Sequence, residues 1–417
     1  MTSSPDPEYA RFADALRRGG YVTDPWYDGA PRFRVAPLVV SRAQCDALAR
    51  VGEGFAAVCD ELQTVACADP ELTAQHFALT PTQRALWAAS MPLWHGIARA
   101  DVFDTAAGLV VAEINCDTPT GEPEAVELSR LAGAAHPDAI DPNAMLAGRF
   151  VAMAEALATS SLAPGFERAA AIVYPTDCPE DLSLVRLYSA WLTRAGWRVT
   201  RGSPYNLRRR ADGALTLFDA PVSLVVRHYK TDWWTERVSA WRSETIPDAA
   251  PLHEPLRALV GAGLDGRCAV LNPFGALVPQ NKRAMAFLWE HLARFSAASQ
   301  DFVRRHVPYT ARLEALDEAT LRTERERWVI KSAYGAEGDE VLIGRDTPPE
   351  HWALALAEAR PGHWVAQERF EAVTDAAGES VNWGVFVVAG EFAGLYARTQ
   401  RGATDVRARS VPVLVRG

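Results

Sequence analysis

One carboxylate, Glu113, interrupts an otherwise apolar run, with Leu109-Val110-Val111-Ala112 before it and Ile114 after it. An isolated carboxylate is costly to desolvate, so a charge there calls for a counter-charge or a metal ion. The surrounding stretch, Arg99 to Gly121, reads R-A-D-V-F-D-T-A-A-G-L-V-V-A-E-I-N-C-D-T-P-T-G. Gly108 ends a turn and Leu109–Asn115 reads as a strand, so alternation predicts Leu109, Val111, Glu113 and Asn115 on one face. With Asp104–Gly108 as the turn, Phe103 faces Leu109, Asp101 faces Val111 and Arg99 faces Glu113. Cross-strand partners share a side, which gathers Arg99, Asp101, Glu113 and Asn115. Two carboxylates and an amide oxygen are hard ligands of the kind Mg²⁺ takes when a phosphorylated substrate supplies the rest. Arg99 beside them suits phosphate. The ordinary alternative is a solvated acidic face.

The rest of the chain narrows the function classes. Its 417 residues can hold roughly two or three domains. A formal charge of −9 argues against nucleic acid as the main partner, since phosphate backbones demand a basic surface. The basic cluster Arg208–Arg210 precedes Ala211-Asp212-Gly213 and reads as a solvated hairpin tip. No apolar run is long enough to span a bilayer, and Met-Thr-Ser-Ser-Pro-Asp-Pro at the N-terminus lacks the regions of a signal peptide. The six scattered cysteines form no C-x-x-C pair. They predict neither a zinc site nor a disulfide framework, and a cytoplasmic setting is expected.

Three regions follow from the texture of the sequence. Residues 1–165 read as a helical N-terminal region joined to the acidic hairpin, with a helix start at Thr80-Pro81-Thr82 and further helices after Gly121 and over Ala144–Ala158. Residues 166–266 alternate strand, helix and strand: Ala169–Tyr174, Leu182–Ala195, Arg198–Thr200 and Val222–Val226. That alternation predicts a small parallel α/β unit. Residues 267–417 hold a strand at Ala269–Leu271, a helix opened by Asn281-Lys282, and strands at Trp364–Glu368, Val381–Val388 and Phe392–Arg398.

In this last region Trp328-Val329-Ile330-Lys331 ends a strand in lysine and runs into the loop Ser332–Gly338, which holds two glycines. A strand-borne lysine before such a loop is one way to hold ATP phosphates, the ammonium neutralising charge while backbone N–H groups close over the oxygens. No G-x-x-x-x-G-K-[ST] motif is present. Alone, the pair reads more readily as a surface turn. Gln367-Glu368 at a strand end suits an adenine hinge, and Lys282 a second phosphate contact, each with a solvated side chain as its plain alternative.

Together these segments resemble the circularly permuted ATP-grasp ligases of the glutathionylspermidine synthase family. Five segments carry the resemblance, in the family's order. They are the Arg99–Gly121 hairpin, H-Y-K-T-D-W-W-T-E (His228–Glu236), the Asn272–Glu290 segment, V-I-K-S-A-Y-G-A-E-G (Val329–Gly338) and the Val365–Arg398 segment. The first ~95 residues match loosely. The acidic set precedes both lysines, as the permuted family has it. The implied fold is mixed α/β (α+β): a permuted ATP-grasp fold with an inserted pre-ATP-grasp, Rossmann-like parallel domain.

The resemblance also implies roles. Asp101, Glu113 and Asn115 are the Mg²⁺ ligands, for two ions, and Arg99, Lys282 and Lys331 contact ATP. Gly338 belongs to the lid loop, and Gln367, Glu368 and Phe370 to the adenine hinge. Arg398 stabilises the reacting phosphate and tetrahedral species. Thr231 contacts substrate, and Thr118 lies on the same side of the cleft. The implied reaction joins a small-molecule carboxylate to an amine through an acylphosphate. The sequence departs from the bifunctional members in lacking an amidase domain. Its acidic cluster Asp177, Glu180 and Asp181 keeps only part of the amine-gripping pattern, and reads equally as charge at a helix N-terminus. An ATP-grasp kinase and a nucleotide-binding pseudoenzyme are the competing readings. Trp233 and Trp234 are candidates for an aromatic acceptor pocket.

Overall fold

The computed structural model describes residues 6–335, 340–402 and 404–417. The acidic hairpin forms from strands Ile97–Thr105 and Gly108–Asn115. Its turn is tighter than expected. Thr105 pairs with Gly108, leaving Ala106 and Ala107 as the loop. The Thr105 hydroxyl fixes this turn, donating to the Gly108 carbonyl at 2.7 Å and accepting from the Ala107 amide.

The tight turn changes the register. Val110, not Leu109, lies opposite Phe103, and Val111 lies opposite Val102. Continued unbroken, that register would set Ala112 against Asp101 and turn Glu113 toward the core. A bulge between Asp101 and Val102 absorbs Ala112, so that Asp101 faces Glu113 and Arg99 faces Asn115. An extra residue on one strand is the usual device for re-aiming a side chain beside a site. The expected pairs are therefore corrected, while Arg99, Asp101, Glu113 and Asn115 still share a side. Val111 does not share it: fully buried, it packs in the core with Val102.

The hairpin is one edge of a larger antiparallel sheet. Ile97–Thr105 pairs with Ser380–Val388, which pairs with Glu391–Gln400 and through it with Arg409–Val411. Residues from the two ends of the chain thus share one five-stranded sheet. The helix Arg42–Ala68 packs across its back, burying Val51, Phe55 and Leu62 with Ala100, Val102 and Val385. A Cβ on Gly52 would meet Val385 Cγ1 at 2.6 Å, so the missing side chain sets how closely helix and sheet approach.

The strands Ala269–Leu271, Leu224–Arg227, Ala169–Val173 and Arg198–Gly202 form the predicted parallel sheet, in that order. Ala169–Val173 is buried at every position, as a strand covered on both faces must be. The edge strand Ala269–Leu271 lies beyond the expected boundary at residue 266. A third sheet, antiparallel, orders Thr310–Arg312, Trp364–Glu368, Trp328–Ser332 and Val341–Ile343. The helical N-terminal region is tied to the C-terminus, since Leu38–Val40 runs parallel to Val413–Arg416. Among the described residues, no helix is long and apolar enough to cross a membrane.

Candidate active site

The five-stranded sheet, the lysine-bearing sheet and the parallel unit enclose one cleft of about 1530 Å³. Asp101 is the hub of its acidic wall and is 3% exposed. Arg99 donates from Nε to Oδ1 at 2.8 Å and from Nη2 to Oδ2 at 3.3 Å. Arg398, from the strand Glu391–Gln400, reaches Oδ2 at 3.0 Å, and Asn382 Nδ2 reaches it at 3.3 Å. The ring of Tyr396 lies 5.8 Å from the Arg99 guanidinium and 5.9 Å from that of Arg398, a cation–π contact with each. Gly384 leaves Arg99 its space: a Cβ there would meet Arg99 Cδ at 2.7 Å.

Glu113 lines the cleft and pairs with Lys282, which does not itself line it. Glu113 Oε2 lies 3.3 Å from Lys282 Nζ, which also donates to the Gly335 carbonyl at 2.6 Å. Burial raises the pKa of the Glu113 carboxyl, but the charges of Lys282, Lys331 and Arg99 outweigh it and hold the group well below the usual carboxylate range. Lys331 donates to Gln367 Oε1 at 2.8 Å. Burial pushes its ammonium down to about 8, against the opposing pull of Glu113. Lys282 and Lys331 are buried, so the solvated alternative does not hold for either.

The donor set suits a hard cation. Asn115 shows its amide Nδ2 to Asp101 and Glu113 at 3.5 Å each, and the same amide turned over offers its carbonyl oxygen. Asn382 Oδ1, beside Asp101, is buried and without a hydrogen-bond partner. An orphaned acceptor is costly to leave unpaired, and a cation at the acidic wall would satisfy it.

Residues 28–416 match the profile of the family described as glutathionylspermidine synthase preATP-grasp. The chain belongs to that family. It is a family of synthase-type ligases. No curated protein matches the chain. Among solved structures, a glutathione synthetase-like effector of Globodera pallida in its apo form matches with a TM-score of 0.59 and 11% identity, covering 98% of each chain. At that identity it supports a shared mixed α/β fold. A putative γ-glutamylcysteine synthetase of Methylobacillus flagellatus matches at a TM-score of 0.48 and 13% identity, over 88% of this chain and 86% of that one.

The other positions singled out in this member of the glutathionylspermidine synthase family fall as follows. Gln367, Glu368 and Phe370 line the cleft. Gln367 is held between Lys331 and Thr310, Glu368 pairs with Arg327, and the Phe370 ring packs 5.3 Å from Phe103 of the hairpin. Thr118 and Glu180 line the cleft as well. Asp181 precedes the helix Leu182–Arg194 but makes no capping hydrogen bond; its carboxylate faces His228 Nε2 at 3.1 Å. Thr231 does not line the cleft. It is 1% exposed, and its hydroxyl and amide both donate to Asp117, at 2.6 and 2.7 Å. Trp233 lines the cleft, whereas Trp234 is fully buried and belongs to the core. Gly338 lies outside the described residues.

Two residues that line the cleft, Asn382 and Tyr396, escaped the sequence reading, as did two buried acids that do not line it, Asp117 and Glu122. Asn382 carries the same signal as Glu113, a polar residue inside an apolar strand. Asp117 joins the hairpin to the parallel unit, since Arg227 and Thr231 both donate to it. Glu122 opens the helix Glu122–Ala135 and accepts from Tyr188 at 3.0 Å. Burial pushes its carboxyl up to about 8.

Proposed function

We propose that this protein is an ATP-dependent ligase that joins a carboxylate to an amine through an acylphosphate, with release of ADP and phosphate. The observation that carries the reading is the meeting of Arg398 with the acidic wall at Asp101, in the cleft that buried Lys331 also lines, with Lys282 paired to Glu113 behind it. Arg99 on that wall serves the nucleotide, so Arg398 is a second guanidinium there that binding alone does not call for.

Asp101, Glu113 and Asn115 would hold Mg²⁺, which would neutralise phosphate charge when bound. Lys282 and Lys331 place positive charge where the transferring phosphate passes. Phosphoryl transfer depends mainly on positioning and electrostatics, so no protein nucleophile is required. A substrate carboxylate oxygen forms a bond to the γ-phosphorus as the bond to ADP breaks. The amine nitrogen then bonds to the acyl carbon, loses a proton, and phosphate departs with that carboxylate oxygen. Arg398 answers the negative charge that develops in both steps. Gln367, Glu368 and Phe370 frame the base. Glu180 and Asp181 provide negative charge for an incoming amine, with Thr118 on the same wall. Thr231 acts through Asp117, as a support for the hairpin.

The test follows labelled oxygen. The protein is incubated with Mg·ATP, pooled ¹⁸O-carboxylates and amines. Label passing into inorganic phosphate is the expected result. A stable phosphorylated product would replace ligase with kinase, and nucleotide binding without turnover across a broad pool would favour a pseudoenzyme.

A further inference from the structure

A second polar cluster contributes no residue to the lining of the cleft. His76 ends the helix Pro70–His76, while Glu290 ends the helix Arg283–Glu290 and His291 caps it. One ligand atom from each of the three lies within 4.8 Å of the others. His76 is 1% exposed. Its Nε2 meets the Arg283 carbonyl oxygen at 3.0 Å. A carbonyl only accepts, so Nε2 carries the ring proton and Nδ1 presents a lone pair. That Nδ1 is buried, has no hydrogen-bond partner, and faces Glu290 Oε2 at 3.6 Å. Two acceptors therefore confront each other, and a cation between them would satisfy both.

We propose that His76, Glu290 and His291 bind one transition-metal ion of the Zn²⁺ class, at a site separate from the acidic hairpin. Two imidazoles and a carboxylate match that class better than Mg²⁺ or Ca²⁺, which favour all-oxygen sets. A backbone carbonyl on the distal ring nitrogen is the outer contact that orients metal-bound imidazoles. Glu290 has an outer contact too: Arg312 Nε donates to its two oxygens at 3.1 and 2.8 Å. The nearby Arg283 is balanced by Glu314, which accepts from it at 2.8 and 3.2 Å. The bound ion would fasten the N-terminal helix Pro70–His76 to the helix that begins immediately after Lys282. This site stands on its own residues, whatever reaction the cleft performs.

The full-length protein, stripped with a chelator, is titrated with Co²⁺ in a large excess of Mg²⁺, which occupies oxygen-only sites. A single equivalent of Co²⁺ is expected to bind, with visible ligand-field bands and a raised melting temperature. His291→Ala and Glu290→Gln each weaken binding by at least ~10-fold, the scale on which losing even an outer-shell partner is felt. Glu113→Gln leaves it unchanged. Both test positions retain solvent exposure, and their melting temperatures without metal report whether each variant is folded. Absence of bands and of a melting shift in the wild-type protein would overturn the proposal. So would full-affinity Co²⁺ binding by both variants.

Discussion

Asp101 and Lys331 face the same cleft from different sheets, and they are satisfied very differently. Asp101 receives hydrogen bonds from Arg99, Arg398 and Asn382, so two guanidiniums of the protein already answer its charge and fix its orientation. Lys331 has one side-chain partner among the described residues, Gln367, and burial presses on its charge. The acidic wall is built by strand register and holds itself together. The lysine wall keeps a buried positive charge that an anion would complete. An anion therefore has most to offer on the lysine side, and the acidic side presents oxygen donors already held in place.

The comparison breaks most sharply at Asp101. Asp101→Ala would leave Arg99 and Arg398 without their counter-charge. Removing one partner of a buried pair typically costs about 3–5 kcal/mol, readable as a fall in the denaturation midpoint. A loss below ~1 kcal/mol would show that the hub is not structural. Arg398→Ala comes next. It should spare nucleotide binding and lower turnover by at least ~10²-fold, the scale of losing one oxyanion-type donor, measured as ADP release. Gly384→Ala is smaller: its methyl collides with Arg99, and overpacking of this kind costs about 1–3 kcal/mol, with weaker ATP binding alongside.

The lysine wall gives the mildest and most specific effect, through pH. Burial leaves Lys331 with a pKa of about 8 before ligand arrives, and bound phosphates favour its charged form. Above that pH binding must take up a proton, so ATP affinity should fall as pH rises, by about 1.4 kcal/mol for each unit. Calorimetry from pH 7 upward checks the slope. Lys331→Arg, which stays charged, should flatten it over the same range.

The sequence showed the grouping of the site better than its construction. Glu113 stood out because a charge in an apolar run needs a reason, and the parallel unit followed from strand–helix alternation. The hairpin register did not follow, because Ala106-Ala107 carries none of the Gly or Asn signals of a two-residue turn. The bulge at Ala112 is equally silent, since alanine fits either face. Thr231 and Asp117 lie 114 residues apart, and only the packing of the hairpin on the parallel unit brings them together. Asn382 was legible by the same rule as Glu113, but its partner Asp101 lies 281 residues away.

The central claim is that the acidic hairpin and the lysine sheet form one Mg·ATP site. Calorimetric titration of ATP with and without Mg²⁺ tests it directly, on the wild-type protein, Glu113→Gln and Lys331→Met. Mg²⁺ should strengthen ATP binding to the wild type. Glu113→Gln should lose that enhancement and keep the weaker Mg²⁺-free binding, while Lys331→Met should weaken both. An undiminished Mg²⁺ enhancement in Glu113→Gln would contradict the account.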